Sequence, residues 1–207
     1  MEELRCDFNQ FEVPGGDVAC TAIAMCYTRL VLEGHAIDKA ALHRAMRAGA
    51  FAYRVWGATP EEPPRARGLL QCWADVRRTL PDLFVGLEPV FESNGFFGRA
   101  AAPAFPQYTT FADAMLALRA AAPEEARAGV LTSGGGSYGL AHDGAYWYLF
   151  DSHAVGGAVM RRAFGRVALA RYIVTELLPG ASRREQEFQV AWFAARPLEG
   201  PAHTEDT

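Results

Sequence analysis

Lysine is almost missing from this 207-residue chain. Lys39 is the only one, and the rest of the 20 basic residues are arginines. No basic run forms, and 24 acidic residues leave a net charge of -4, which excludes a nucleic-acid-binding platform. Long apolar runs are missing too. No stretch approaches the ~18 apolar residues of a membrane-spanning helix, so no membrane association is expected. The opening MEELRCDFNQ is acidic and polar, unlike a secretory signal. No CxxC or HxxxH pair supplies the spacing of a metal site, and neither metal nor cofactor is expected. Nothing repeats internally.

Against those absences, 50% of the residues are hydrophobic and 21% charged, the balance of a chain that folds rather than stays disordered. The length fits one domain with a substantial core, expected over residues 1–196, with a polar tail or the start of a linker at 197–207. Four cysteines occur, Cys6, Cys20, Cys26 and Cys72. Their even number invites a disulfide reading, but a chain this large and apolar does not need staples. Free thiols in a reducing, intracellular compartment, cytoplasm or nucleus, are expected, in a monomer.

Helical signals come first. After a loop ending at Pro14-Gly15-Gly16, Asp17 has the chemistry of an N-cap for a helix from Val18 to Glu33, closed by Gly34. Ile23, Tyr27, Leu30 and Val31 form its apolar stripe. A second helix starts near Asp38 and carries Leu42, Met46 and Ala50. Thr59 to Pro64 is a Pro-rich break, and a third helix spans Leu69 to Leu80. Residues 86–108 have no clear period and are expected as a long loop with at most a short strand. Thr110 caps a fourth helix with Phe111, Met115 and Leu118 on one side.

After Pro123 strands take over. Gly129 to Thr132 is a short apolar run. Tyr138 to His142 and Ala145 to Phe150 flank Asp143-Gly144, a two-residue hairpin signal. Ala158 to Phe164 is another candidate strand. Val167 to Leu178 reads as a helix, and Glu187 to Ala195 alternates like a final strand. Helices followed by an antiparallel sheet make an α+β fold. A cysteine at the start of the first helix and a histidine late on the sheet follow the order of papain-like thiol proteases.

Cys20 falls in the first turn of the first helix, where exposed N–H groups and the helix dipole favour a thiolate. A buried, inert thiol is the plainer reading. Cys26, about 240° further round the helix, faces elsewhere and belongs to the core. Asp151 and His153 follow the aromatic strand AYWYLF. Two residues apart on a strand, they point to one side, where the acid can orient and polarise the ring; a simple turn is the alternative. His142 is a rival base. With Asp143-Gly144 as the turn, however, His142 pairs with Ala145, and Asp151 lies six residues on, roughly 20 Å away at ~3.3 Å per residue. His35, His43 and His203 are assigned no role. Gln10 lies ten residues before Cys20. Its amide can donate to an oxyanion beside the Cys20 backbone N–H, a role that neighbouring Asn9 could equally fill.

These pieces resemble the ubiquitin-specific cysteine protease domain at the N-terminus of herpesvirus large tegument proteins. The match rests on Asn9-Gln10, on GGDVACTAIAMCYTRLVLEG around Cys20, on GLAHDGAYWYLFDSH through His153, and on the final FQVAWFAA. It spans residues 8 to 196, with 36 to 127 alike only in helical character. Two positions depart from the family: Ala19 stands where Gln is usual, and Ser152 where Pro is frequent. The resemblance implies a papain-like deubiquitinating hydrolase with Cys20 as nucleophile, His153 as base, Asp151 as its orienter and Gln10 as oxyanion donor. It implies ubiquitin and ubiquitinated proteins as partners, with NEDD8 a second candidate, and a virion tegument location if the chain is viral. A Gly-Gly tail needs a narrow channel, and Trp147 to Phe150 are candidates for its wall or for the core. Two other readings stay open: a catalytically silent ubiquitin-binding or tegument interaction module, and a cysteine protease or acyltransferase of other specificity.

Overall fold

The computed structural model describes residues 1–57, 73–97, 127–177 and 186–196. Its strands are β1 (Glu2–Arg5), β2 (Leu87–Phe97), β3 (Ala128–Ser133), β4 (Gly136–His142), β5 (Tyr146–Asp151), β6 (Val159–Phe164) and β7 (Gln186–Ala195). They form one antiparallel sheet in the order β1-β6-β5-β4-β3-β7-β2. The helices are α1 (Cys20–Leu32), α2 (Lys39–Gly57), α3 (Trp73–Thr79) and α4 (Arg166–Tyr172), the last running into a π-helical turn at Ile173–Leu177. The fold is the expected α+β arrangement, N-terminal helices on an antiparallel sheet.

The sheet is covered on both faces, and the period of two along each strand shows how. Val130, Ala141, Tyr148, Phe150, Ala191 and Phe193 pack with the residues of α1, α2 and α3. Their strand neighbours Leu131, Leu140, Trp147, Leu149, Val190 and Trp192 pack with Leu169 and Ile173 from the α4 side. A strand buried on both faces shows a continuous apolar run rather than polar alternation, which is why YWYLF and VAWFA are aromatic or aliphatic at every position.

Helix α1 lies between α2 and the sheet. Every residue from Thr21 to Thr28 is buried, more than the single stripe expected, as befits a helix enclosed on all sides. Thr28, a polar residue in that stretch, donates its hydroxyl to the Gly129 carbonyl at 3.0 Å. The helix begins later than expected. Ala19, not Asp17, is its N-cap, and no side chain caps it. The turn from Gly16 to Ala19, closed by Ala19 N–H donating to the Gly16 carbonyl at 3.1 Å, takes up the residues assigned to a first helical turn. Helix α2 does start beside Asp38, whose carboxylate accepts from Ala41 N–H at 2.7 Å.

Two expected loops are strands. Glu2–Arg5 forms edge strand β1, with Glu2 opposite Arg162 and Glu3 opposite Arg161. Both facing pairs are ion pairs, and a charged edge also resists pairing with other chains. Leu87–Phe97 forms the eleven-residue β2 at the opposite edge, paired with β7 and irregular between Pro89 and Phe91. Proline is admissible there because an edge strand need not donate on both sides. The Pro-rich break, the fourth helix at Thr110, Cys72, His203 and the tail at 197–207 lie outside the described residues.

The β4–β5 hairpin is offset by one residue from the expected register. His142 faces Trp147, and Asp143 N–H donates to the Tyr146 carbonyl at 3.2 Å, so Gly144 and Ala145 are the central pair. Gly144 has φ 96°, which fits a turn with glycine at its first central position. The Asp143 carboxylate holds it by accepting from Ala145 N–H at 3.1 Å and Tyr146 N–H at 2.7 Å. Among the described residues no helix is long and apolar enough to cross a membrane.

Candidate active site

Cys20 is the first residue of α1 and is half-buried, just before the enclosed stretch that begins at Thr21. Ala19, the N-cap, supplies no side-chain cap to this first turn. His153 reaches the same point from the turn after β5, near enough that its ring acts on the Cys20 thiol. On its other side His153 Nδ1 lies 3.1 Å from Asp151 Oδ1, which leaves Nε2 for the sulfur. The Asp151 side chain is about 10% exposed and that of His153 24%, so the pair is shielded without being sealed.

The reason these two residues meet differs from the expected one. β5 ends at Asp151, and Ser152 and His153 already turn away. Asp151 Oδ1 also accepts from the backbone N–H of His153 at 2.9 Å. An aspartate bonding the backbone two residues on is an Asx turn. One carboxylate oxygen therefore shapes the turn and orients the ring it presents.

Burial pushes the Cys20 thiol up, but the hydrogen bond and charge of His153, the Ser137 backbone N–H and the Thr21 hydroxyl together bring it below the ordinary thiol value. Burial pushes His153 the other way, and its hydrogen bonds to Asp151 and Cys20 outweigh that, raising it to about 9. At Cys6 and Cys26 burial outweighs the charges of Lys39 and Arg29. Burial drives Cys6 up to about 11 and Cys26 to about 12.

A pH dependence follows, with its sign fixed by those shifts. The thiolate forms as pH rises through the lowered Cys20 value, and the imidazolium is lost as pH rises through about 9. The ion pair exists between the two, and both titrations belong to the pair. Alkylation of Cys20 by iodoacetamide is expected to reach its first inflection below the ordinary thiol value, with a second inflection near pH 9. A single inflection at the free-thiol value, ~8.5, would contradict the geometry.

Gln10 is reached through a loop that folds back on itself. A Cβ on Gly16 would stand 2.1 Å from the Gln10 carbonyl oxygen, so only glycine lets the approach to α1 cross so close to Gln10. Gln10 is buried, and its Oε1 accepts from the Ser152 hydroxyl at 2.6 Å. Asn9, the alternative donor, is committed elsewhere. It caps the short 3-10 turn Gln10–Glu12 by accepting from Phe11 N–H at 3.0 Å, and its Nδ2 donates to the Ala154 carbonyl at 3.3 Å.

Several residues around Cys20 went unseen in the sequence. Thr21, Ser137 and Thr132 form a hydroxyl chain, 2.8 Å and 3.0 Å between successive oxygens, beside the sulfur. The rings of Tyr138 and Phe11 lie 5.4 Å and 6.1 Å from that of His153. Thr21 adjoins the cysteine and was open to notice; a backbone donor such as Ser137 N–H leaves no trace in sequence. His142 is apart from this group, stacked on Trp147 at 4.8 Å. Trp147, Tyr148, Leu149 and Phe150 are all buried, so core is their place, and the exposed ring beside His153 is Phe11. Among the described residues no group of three or more His, Cys, Asp or Glu gathers as a metal site would need.

No family model and no curated protein matches the chain. Among solved structures it is similar to the ubiquitin-specific protease encoded by murine cytomegalovirus tegument protein M48, crystallised in complex with a ubiquitin-based suicide substrate. The TM-score is 0.69 over 96% of this chain and 89% of that one, at 13% sequence identity. At that identity the likeness is one of fold.

Proposed function

We propose that the chain is a cysteine-type deubiquitinase, a thiol-dependent hydrolase of the bond after the C-terminal glycine of ubiquitin, of the viral tegument kind. The observation that supports the reading is the gathering of Cys20, His153 and Asp151 at the N-terminus of α1, with His153 Nδ1 on the Asp151 carboxylate and its ring acting on the Cys20 thiol, on a fold shared with a ubiquitin-specific protease. In this reading the Cys20 thiolate attacks the glycine carbonyl. The developing oxyanion is met by the Cys20 backbone N–H and by Gln10 Nε2. The His153 imidazolium gives its proton to the departing lysine amine, leaving a thioester. His153, now neutral, takes a proton from water as the water attacks, and the carboxylate of free ubiquitin leaves. Asp151 holds the ring in register throughout, and Phe11 walls the channel beside it. A monomer working in a reducing compartment, cytoplasm, nucleus or virion tegument, suits a free thiolate.

The test is incubation with ubiquitin carrying a C-terminal thiol-reactive group, with the NEDD8 counterpart in parallel. One covalent ubiquitin per chain, together with turnover of a ubiquitin C-terminal fluorogenic substrate, is the expected result. Ubiquitin binding without labelling would point to a silent binding module. Thiol reactivity toward small electrophiles but not toward either modifier would point to another specificity.

A further inference from the structure

Gln10 and Ser152 stand 142 residues apart in sequence and meet twice in the fold. Gln10 N–H donates to the Ser152 carbonyl at 2.9 Å, and the Ser152 hydroxyl donates to Gln10 Oε1 at 2.6 Å. Both residues are almost sealed, 1% and 2% exposed. A buried amide needs partners at both ends, yet the structure supplies one only at Oε1. No described residue accepts from Gln10 Nε2, and Nε2 is not among the enclosed polar atoms left without a partner. The small surface that Gln10 keeps therefore includes Nε2.

We propose that Ser152 is the positioning residue for the Gln10 amide, a proposal that rests on the deubiquitinase reading of this site. Ser152 sits between Asp151 and His153 but takes no part in their contacts, which run directly from the Asp151 carboxylate to the His153 ring and N–H. Its hydroxyl ties the donor loop to the turn that carries the base. By giving its proton to Oε1 it leaves Nε2 as the end of the amide that can donate elsewhere. The reversed amide would present a carbonyl oxygen to the oxyanion, a repulsive contact where a donor is needed. Ser152 touches no reacting atom and acts through Gln10.

The experiment compares Ser152→Ala, Gln10→Ala and the double variant on a ubiquitin C-terminal fluorogenic substrate. Gln10→Ala is expected to lower kcat by about 10²–10³ with KM nearly unchanged. Ser152→Ala should lower kcat by about tenfold, since one buried hydrogen bond is lost and the donor is left untethered. In the Gln10→Ala background it should cost nothing further. Alkylation of Cys20 by iodoacetamide, which forms no oxyanion, should proceed at the wild-type rate in Ser152→Ala. A further fall in the double variant, or slowed alkylation, would show that Ser152 supports the His153 turn instead and would overturn the proposal. The side-chain amide signals of Gln10, followed by NMR in wild type and Ser152→Ala, give a readout without turnover. They should move toward the positions of a free glutamine; unchanged signals would overturn the proposal. Absence of any turnover or probe labelling by the wild type would instead defeat the deubiquitinase reading, and the NMR comparison would still decide the role of Ser152.

Discussion

Cys20→Ala is expected to abolish covalent labelling by a ubiquitin probe and to bring substrate turnover to background, with the fold intact. The physical reason is the contrast among the described thiols. Cys6 and Cys26 are buried and pushed up to about 11 and about 12. At pH 7 those values leave thiolate fractions of about 10⁻⁴ and 10⁻⁵. Cys20 alone among them is half-exposed and lowered, with a cationic imidazole against the sulfur. Since the thiolate is the nucleophile, the other two lack both the charge state and the access. The structural cost is small, because Cys20 opens a helix whose enclosed part begins at Thr21. A change in Tm of no more than about 4 °C is anticipated, roughly 1 kcal/mol for a chain of this size. Cys26→Ala, by contrast, trims a core side chain, so it should lower Tm and leave labelling in place. Labelling that survives Cys20→Ala, or vanishes in a folded Cys26→Ala, would assign the nucleophile elsewhere.

What could be read from the sequence was whatever local chemistry dictates. The buried helix after Gly16, the hairpin around Asp143-Gly144 and the strand AYWYLF each carry their signal within a dozen residues. The two edge strands do not. Glu2 and Glu3 look like solvated loop residues until Arg161 and Arg162, some 160 positions away, are placed opposite them. β2 is hidden by Pro89, which breaks the strand signal and is tolerated only because the strand lies at an edge. The same division runs through the site. Cys20 at a helix start and Asp151 two residues before His153 are local patterns, although the Asx turn, not strand alternation, is what joins the latter two. The Ser137 N–H at the sulfur and the Ser152 hydroxyl on Gln10 arise from contacts between segments more than 100 residues apart. Those contacts exist only once the sheet has assembled.

His153→Ala is expected to cost about 10⁴ in kcat/KM, as removal of a positioned base and ion-pair partner does, whereas His142→Ala should stay within about threefold. The corrected hairpin register keeps the two apart. His142 faces Trp147, and Asp151 lies four residues beyond Trp147, about 13 Å along the strand. Its ring is held by Trp147 and by Trp192, whose centroid is 5.7 Å away. His142→Ala should therefore lower stability, by the ~1 kcal/mol that aromatic contacts of this kind contribute, and leave catalysis standing. His153→Ala should show the opposite pattern, and it makes a second claim. With the imidazole gone, the hydrogen bond and charge that lower the Cys20 thiol are gone too, and burial, which raises it, remains. Alkylation of Cys20 at pH 7 should then slow sharply and recover only as pH rises into or above the ordinary thiol range. The measurement pairs turnover with an iodoacetamide pH profile on both variants and checks each for folding by Tm. Equal losses of turnover in the two folded variants would refute the assignment of the base. An unshifted alkylation profile in His153→Ala would mean that the sulfur owes its low value to the Ser137 N–H and the Thr21 hydroxyl rather than to the ion pair.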